Sequence, residues 1–122
     1  MTDLPALNSA TCWQILDDQL SDQIVNALLW HCLGYQYDPD LQQWNAVAVA
    51  EEWSTDYPQP PDFIGSRPAT VKLTRSIPAA HKQLLKEQLG FTGYQVSELN
   101  PRLTRRATAA NWLLSYLQRQ TV

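Results

Sequence analysis

The sequence lacks any apolar stretch long enough to cross a membrane, since none approaches the roughly 18 consecutive apolar residues that this requires. It also lacks a basic N-terminal segment followed by an apolar run, because Asp3 comes early and no Arg precedes Arg67. Neither a secretory signal nor an Arg-rich transit peptide has this composition. We therefore expect a cytoplasmic protein with no membrane span.

Cysteine is scarce, and the motifs of common enzymes are absent. Cys12 and Cys32 fit no CxxC or zinc spacing, and both fall among apolar residues, which predicts two buried thiols. The sequence contains no nucleotide-binding, zinc-protease or serine-hydrolase motif. It therefore predicts no cofactor, no metal site and no recognisable catalytic residue.

Basic residues are missing from the first half of the chain. Residues 1–66 contain ten Asp or Glu and no Lys or Arg, whereas residues 67–122 contain all nine basic residues and only Glu87 and Glu98. The halves therefore carry charges of −10 and +7 within a net charge of −3. Such asymmetry indicates a charged partner. The alternative is that the two halves neutralise each other inside one domain, in which case the pattern has no function.

The remaining composition is typical of a folded domain. The chain has 122 residues, of which 44% are hydrophobic and 17% charged, and twelve aromatic side chains enlarge the core. We predict a single domain over residues 1–122, with residues 1–8 disordered. Its fold class is predicted to be α+β, with two N-terminal helices, a small and mostly antiparallel sheet, and two C-terminal helices.

Helical spacing and turn residues predict the N-terminal elements. Asn8 or Ser9 caps a helix over residues 10–18, and Ser21 caps a second helix that ends at Gly34. The turn 38–40 (DPD) predicts a hairpin over residues 35–47. Residues 48–53 are compatible with one helical turn. The proline-rich segment that follows predicts an ordered loop, because its aromatic side chains favour burial.

The second half is predicted from three further patterns. Residues 70–77 alternate between apolar and polar, which predicts a half-exposed strand. Pro78 opens a third helix that ends at Gly90, and residues 94–96 are compatible with a short strand. Asn100 and Pro101 then begin a last helix over residues 101–119.

A cluster of arginines in this last helix is the strongest candidate site. Arg102, Arg105 and Arg106 lie at positions i, i+3 and i+4, so they share a helix face, and they crowd the end where the helix dipole disfavours cations. An anion would relieve that repulsion. The further basic residues Arg67, Lys72 and Arg75 extend the cluster if residues 70–77 lie beside it. Internal pairing with the ten acids of the first half is the alternative.

These arginines suggest a non-enzymatic binding or assembly module that holds an acidic protein segment or a phosphorylated ligand. Nucleic-acid binding is a second hypothesis, weakened by a sequence pI near 5.2. An enzyme with an unrecognised site is a third, for which His31 or His81 would need a neighbouring carboxylate in a pocket. The acidic pairs 38/40 and 51/52 are expected to be solvated rather than metal-binding.

Aromatic side chains around the proline-rich loop offer a second candidate surface. Trp44, Trp53, Tyr57 and Phe63 lie in the half without basic residues. If they are exposed, they form an apolar docking surface with an acidic rim. If they are buried, they belong to the core.

Several segments resemble a known family. They are residues 67–78 (RPATVKLTRSIP), residues 104–114 (TRRATAANWLL) and LLWH at 28–31 followed by GY at 34–35 and YDP at 37–39. Together they are similar to the domain of unknown function 1823 family of small proteins from cyanobacteria and plant plastids, over residues 21–117. The resemblance implies a phototroph's cytoplasm or a plastid stroma. It carries no catalytic residues to transfer.

Overall fold

The computed structural model describes residues 4–98 and 100–120, which form six α-helices and one two-stranded sheet. The elements are α1 (Ser9–Leu16), α2 (Asp22–Leu33), β1 (Gln36–Asp38), β2 (Gln43–Asn45), α3 (Glu51–Ser54), α4 (Arg67–Ser76), α5 (Leu84–Leu89) and α6 (Pro101–Gln120). Two 3₁₀ turns add Ala79–His81 and Val96–Glu98. The predicted α+β class is confirmed.

The N-terminal helices begin and end where their capping residues indicate. The side chain of Asn8 accepts a hydrogen bond from Thr11 N at 3.0 Å, and that of Ser21 accepts one from Ile24 N at 3.2 Å. Gly34 ends α2 with φ +107°, and a Cβ there would lie 2.7 Å from Ala48 O. Only glycine fits this position without strain.

The predicted hairpin is confirmed as the antiparallel pair β1–β2, in which Tyr37 faces Trp44 across the strands. Its turn is closed by Asp38, whose carboxylate accepts a hydrogen bond from Asp40 N at 2.9 Å. Each strand has three residues, so the sheet adds little to the core.

The strand predicted over residues 70–77 is wrong, because this segment lies in α4. Ser66 caps the helix by accepting a hydrogen bond from Ala69 N at 3.4 Å, and a proline stands in the first turn. Ala69, Leu73 and Ile77 are buried at intervals of four residues, which is the period of a helix face. Val71, which alternation placed on the buried face, is 36% exposed.

Two other predictions for the second half need correction. The helix predicted to start at Pro78 is a 3₁₀ turn at Ala79–His81, and α5 begins only at Leu84. The side chain of Asn111 fixes this break, since it accepts a hydrogen bond from Leu85 N at 3.2 Å and donates one to His81 O at 3.1 Å. The strand predicted at 94–96 is absent from the described residues, where the chain forms the turn Val96–Glu98 instead. Four α-helices, α3 to α6, therefore follow the sheet.

Helix α6 is the centre of the molecule and contacts α1, α2, α4 and α5. Seven consecutive residues in its middle, Ala109 to Ser115, are buried. Within residues 4–98 and 100–120, no helix combines the length and hydropathy that a bilayer crossing needs. Of the N-terminal residues predicted to be disordered, 1–3 lie outside the described part, and Leu4 and Leu7 pack against the core.

Candidate functional site

The three arginines of α6 do not share one environment. Arg106 is completely buried and donates to Asp22 Oδ1 at 2.6 Å, Leu20 O at 2.5 Å and Ile15 O at 3.2 Å. Its three nitrogens thereby hold the loop between α1 and α2 against α6. The guanidinium is fully buried and each of its nitrogens has an acceptor inside the protein, so Arg106 is not accessible to an external anion.

Arg102 is also neutralised within the chain. Its Nη1 and Nη2 form a bidentate pair with Asp18 at 2.9 and 2.7 Å, and its Nε donates to Asp22 Oδ2 at 2.9 Å. The hydrogen bond from Arg102, aided by the charge of Arg106, lowers the pKa of Asp18 although burial opposes this. Two of the three arginines, Arg102 and Arg106, are therefore paired with acids of the same chain.

Arg105 points to the other side of α6. It is half-buried and donates from Nη1 to Ile64 O at 3.0 Å. No carboxylate of the described residues lies within 4.0 Å of it. Its charge nevertheless affects the Asp62 carboxyl. Burial acts to raise the pKa of Asp62, but hydrogen bonds and the charge of Arg105 outweigh burial, so this pKa is lowered.

Arg67 and Arg75 join Arg105 along the contact of α4 with α6. They lie two helical turns apart on α4, both are exposed, and neither makes a hydrogen bond or an ion pair within the described part of the chain. Together with Val71, Pro101 and other small side chains, the three arginines line a groove of 530 Å³. Among the residues that the structure describes, no Asp or Glu lines it. We call this the basic groove.

Lys72 does not belong to the basic groove. Its Nζ lies 2.7 Å from Asp56 Oδ2 and 2.6 Å from Glu52 O, and 5.2 Å from the centre of the Trp53 ring. This lysine therefore joins α4 to α3 and to Asp56, outside the basic groove.

Two lysines that the sequence did not single out lie next to the basic groove. Lys82 and Lys86 line a hollow of 430 Å³, which shares Thr74 and Thr104 with the basic groove. Both lysines are exposed, and Nζ of Lys82 donates to Thr74 O. The available signal was only that the second half of the chain contains nine basic residues and two acids, one of which, Glu87, directly follows Lys86. The continuous helix that the sequence predicts from Pro78 to Gly90 does not place these lysines beside the basic groove.

The aromatic set around the proline-rich loop is divided between core and surface. Trp53 and Phe63 are buried, with 4% and 1% exposure, and pack edge to face at 5.8 Å. Neither is accessible to a partner. Trp44 and Tyr57 are half-buried, and Trp44 contacts Trp30 in a T-shaped arrangement at 5.2 Å.

The two histidines have different surroundings. His81 Nδ1 lies 2.8 Å from the hydroxyl of Ser115, which is fully buried. His31 lines a cavity of 410 Å³ between α2 and the hairpin, where no Asp or Glu of the described residues accompanies it. Burial raises the pKa of the Cys12 and Cys32 thiols to about 11, so both are protonated near neutral pH.

Comparison with known proteins identifies the family of the chain. No curated protein matches it. A protein described as a solution NMR structure is 56% identical, with a TM-score of 0.84 over 100% of both chains. The family described as Domain of unknown function (DUF1823) matches residues 6–118. The chain belongs to this family.

Proposed function

We propose that this protein is a binding module whose basic groove holds an acidic segment of a partner protein. Arg102 and Arg106 of the predicted arginine site are neutralised internally. The anion-binding residues are therefore Arg67, Arg75 and Arg105. Such binding requires no catalytic step. The partner's carboxylates, or phosphates on its side chains, would provide the negative charge.

The observation that carries the proposal is the charge of the basic groove. Three guanidinium groups border one depression, and none has a carboxylate partner within 4.0 Å among residues 4–98 and 100–120. Their mutual repulsion is relieved by a bound anion, and arginine is the side chain best suited to bind carboxylate or phosphate in a bidentate manner. A partner with acidic side chains has the complementary charge.

A protein segment fits this groove better than a nucleic acid does. The lining includes Val71 and Pro101, which suit aliphatic side chains, and among residues 4–98 and 100–120 no aromatic ring lines the groove for base stacking. The protein as a whole carries a charge of −3. A long phosphate backbone would therefore meet repulsion beyond the basic patch.

The proposal predicts that the protein binds an acidic probe through Arg75. The probe is a fluorescein-labelled peptide in which one phenylalanine separates two Asp-Glu-Glu runs, and its affinity is measured by fluorescence anisotropy. Arg75→Glu should weaken binding about fivefold to tenfold, because an attraction becomes a repulsion at the surface. Arg119→Glu is the matched control, since Arg119 is exposed and lies outside the groove. Its guanidinium carbon lies 5.7 Å from the centre of the Trp112 ring.

Three results would overturn the proposal. One is that the probe does not bind, and another is that both reversals weaken it equally. The third is that single-stranded RNA binds with a steep salt dependence while the peptide does not, which would favour the nucleic-acid alternative. Light scattering of the protein alone tests a second copy as occupant. Self-association abolished by Arg75→Glu would assign the groove to that copy instead of a different partner.

A further inference from the structure

The basic groove continues into the hollow that contains Lys82 and Lys86. The two depressions share Thr74 on α4 and Thr104 on α6, so they form one trough along α6. Five cations border this trough: Arg67, Arg75, Arg105, Lys82 and Lys86. In the described part of the chain, no carboxylate lines either depression. Partner acids on both sides of the hollow would therefore meet positive charge.

The hollow itself has an apolar interior. Ile77, Leu85, Phe91 and Ala107 contribute to its walls, and Ile77 is 5% exposed. Its volume of 430 Å³ is ample for one large apolar side chain. The basic groove, in contrast, combines guanidinium groups with small residues.

The walls of the hollow are held in place before anything binds. The Phe91 ring packs edge to face against Tyr94 at 5.1 Å and against Trp13 at 6.1 Å. The hydroxyl of Tyr94 in turn donates to Leu16 O at 2.9 Å. A preformed hollow lowers the entropic cost of binding, because few side chains need to be ordered.

The polar groups at the hollow's base already have partners. The Asn111 side chain bonds to Leu85 N and His81 O, and Lys82 bonds to Thr74 O. An apolar side chain that enters would consequently leave few polar groups without a hydrogen bond. Burial of such an anchor should tighten binding about tenfold or more.

Resting on the proposed function, we infer that the acidic partner segment carries a large apolar anchor, such as phenylalanine or leucine, that fills this hollow. Its flanking acids contact Lys82 and Lys86 on one side and Arg75 and Arg105 on the other. The apolar anchor gives affinity, and the charges on both sides give orientation and register.

Two peptides test the anchor with the unaltered protein. They are the phenylalanine probe described above and the same peptide with serine in place of phenylalanine, which has the same charge. The phenylalanine peptide should bind about tenfold more tightly or better, as expected for burying one large apolar side chain. Equal binding of the two, with both still weakened by Arg75→Glu, would overturn the anchor and leave the proposed function intact. No binding of either peptide would overturn the proposed function itself.

A protein variant then locates the anchor. Ala107→Leu fills the hollow from α6, and it should abolish the advantage of phenylalanine while charge-dependent binding of the serine peptide remains. Ala10→Leu is the control, because Ala10 is exposed on α1 and lies outside the trough. If phenylalanine keeps its advantage in a folded Ala107→Leu protein, as judged by circular dichroism, the anchor lies elsewhere and the inference is wrong.

Discussion

At the scale of single residues, Arg106 shows how burial changes the meaning of a charged side chain. A guanidinium with 0% exposure has lost its water and requires protein acceptors instead. Asp22 and the carbonyls of Ile15 and Leu20 provide them. Arg106 is thus a structural residue that joins the loop 17–21 to α6, although the sequence places it beside two more exposed arginines.

Replacing Arg106 should therefore destabilise the fold severely. Arg106→Met keeps most of the apolar stem, but it removes the donor to Leu20 O, one of the two donors to Ile15 O, and the ion pair with Asp22. We expect a loss of about 3 kcal/mol or more in the free energy of unfolding, measured by urea denaturation. Arg105→Met is the neighbouring control, since Arg105 makes one carbonyl hydrogen bond from a half-buried position. Equal losses in the two variants would contradict the structural role of Arg106.

At the scale of elements, α4 explains why the strand prediction for residues 70–77 was wrong. Leu73 and Ile77 are four residues apart, so they share a face in a strand and in a helix alike. The two structures differ at Val71, which alternation buries and helical spacing leaves at the surface. Ser66 followed by Pro68 was the usable signal, since it is typical of a helix N-terminus.

The different burial of Leu73 and Val71 in α4 predicts how much each side chain contributes to stability. Leu73→Ala should cost about 2 to 5 kcal/mol, because Leu73 has 0% exposure and its removal leaves a cavity. Val71→Ala should cost less than about 1 kcal/mol, since Val71 is 36% exposed and alanine favours a helix. Thermal unfolding of both variants tests this, and a comparable loss at Val71 would contradict the helical assignment.

Local signals predicted the elements that are capped locally, and long-range pairing could not be predicted from them. Asn8, Ser21, Gly34 and Asn100 each lie at the helix end that their side chains or backbone favour. The acids that neutralise Arg102 and Arg106 are 80 or more residues away in sequence. Ten acids were available in the first half, and no pattern in the sequence says which of them fold against which arginine.

At the scale of the whole molecule, the acids of the first half and the basic residues of the second half are arranged in two ways. Asp18, Asp22 and Asp56 pair with basic residues of the second half and so join the halves of the chain. Five of the remaining basic residues border the trough along α6. Internal pairing and an exposed basic surface, which the sequence offered as alternatives, therefore both occur in one molecule.

The pairing between halves should make the fold sensitive to acid through Asp18. The hydrogen bond from Arg102 holds the pKa of Asp18 in the folded protein below its ordinary value, which is about 3.9 in the unfolded chain. The carboxylate's contribution to stability is therefore fully present above that value and is lost as the pH falls through the lowered pKa of the folded state. The contribution is modest, because the Asp18 side chain is 45% exposed and water screens the pair.

Urea denaturation of the unaltered protein and of Asp18→Asn across this pH range measures the effect. The unaltered protein should be more stable than the variant near neutral pH. The difference should shrink as the pH falls below about 4, because the carboxylate is protonated first in the unfolded chain and only at lower pH in the folded protein. Asp17→Asn is the control, because the adjacent Asp17 is exposed and makes no ion pair within the described residues. A stability difference for Asp18→Asn that stays constant down to acid unfolding would show that charge at Asp18 does not join the two halves.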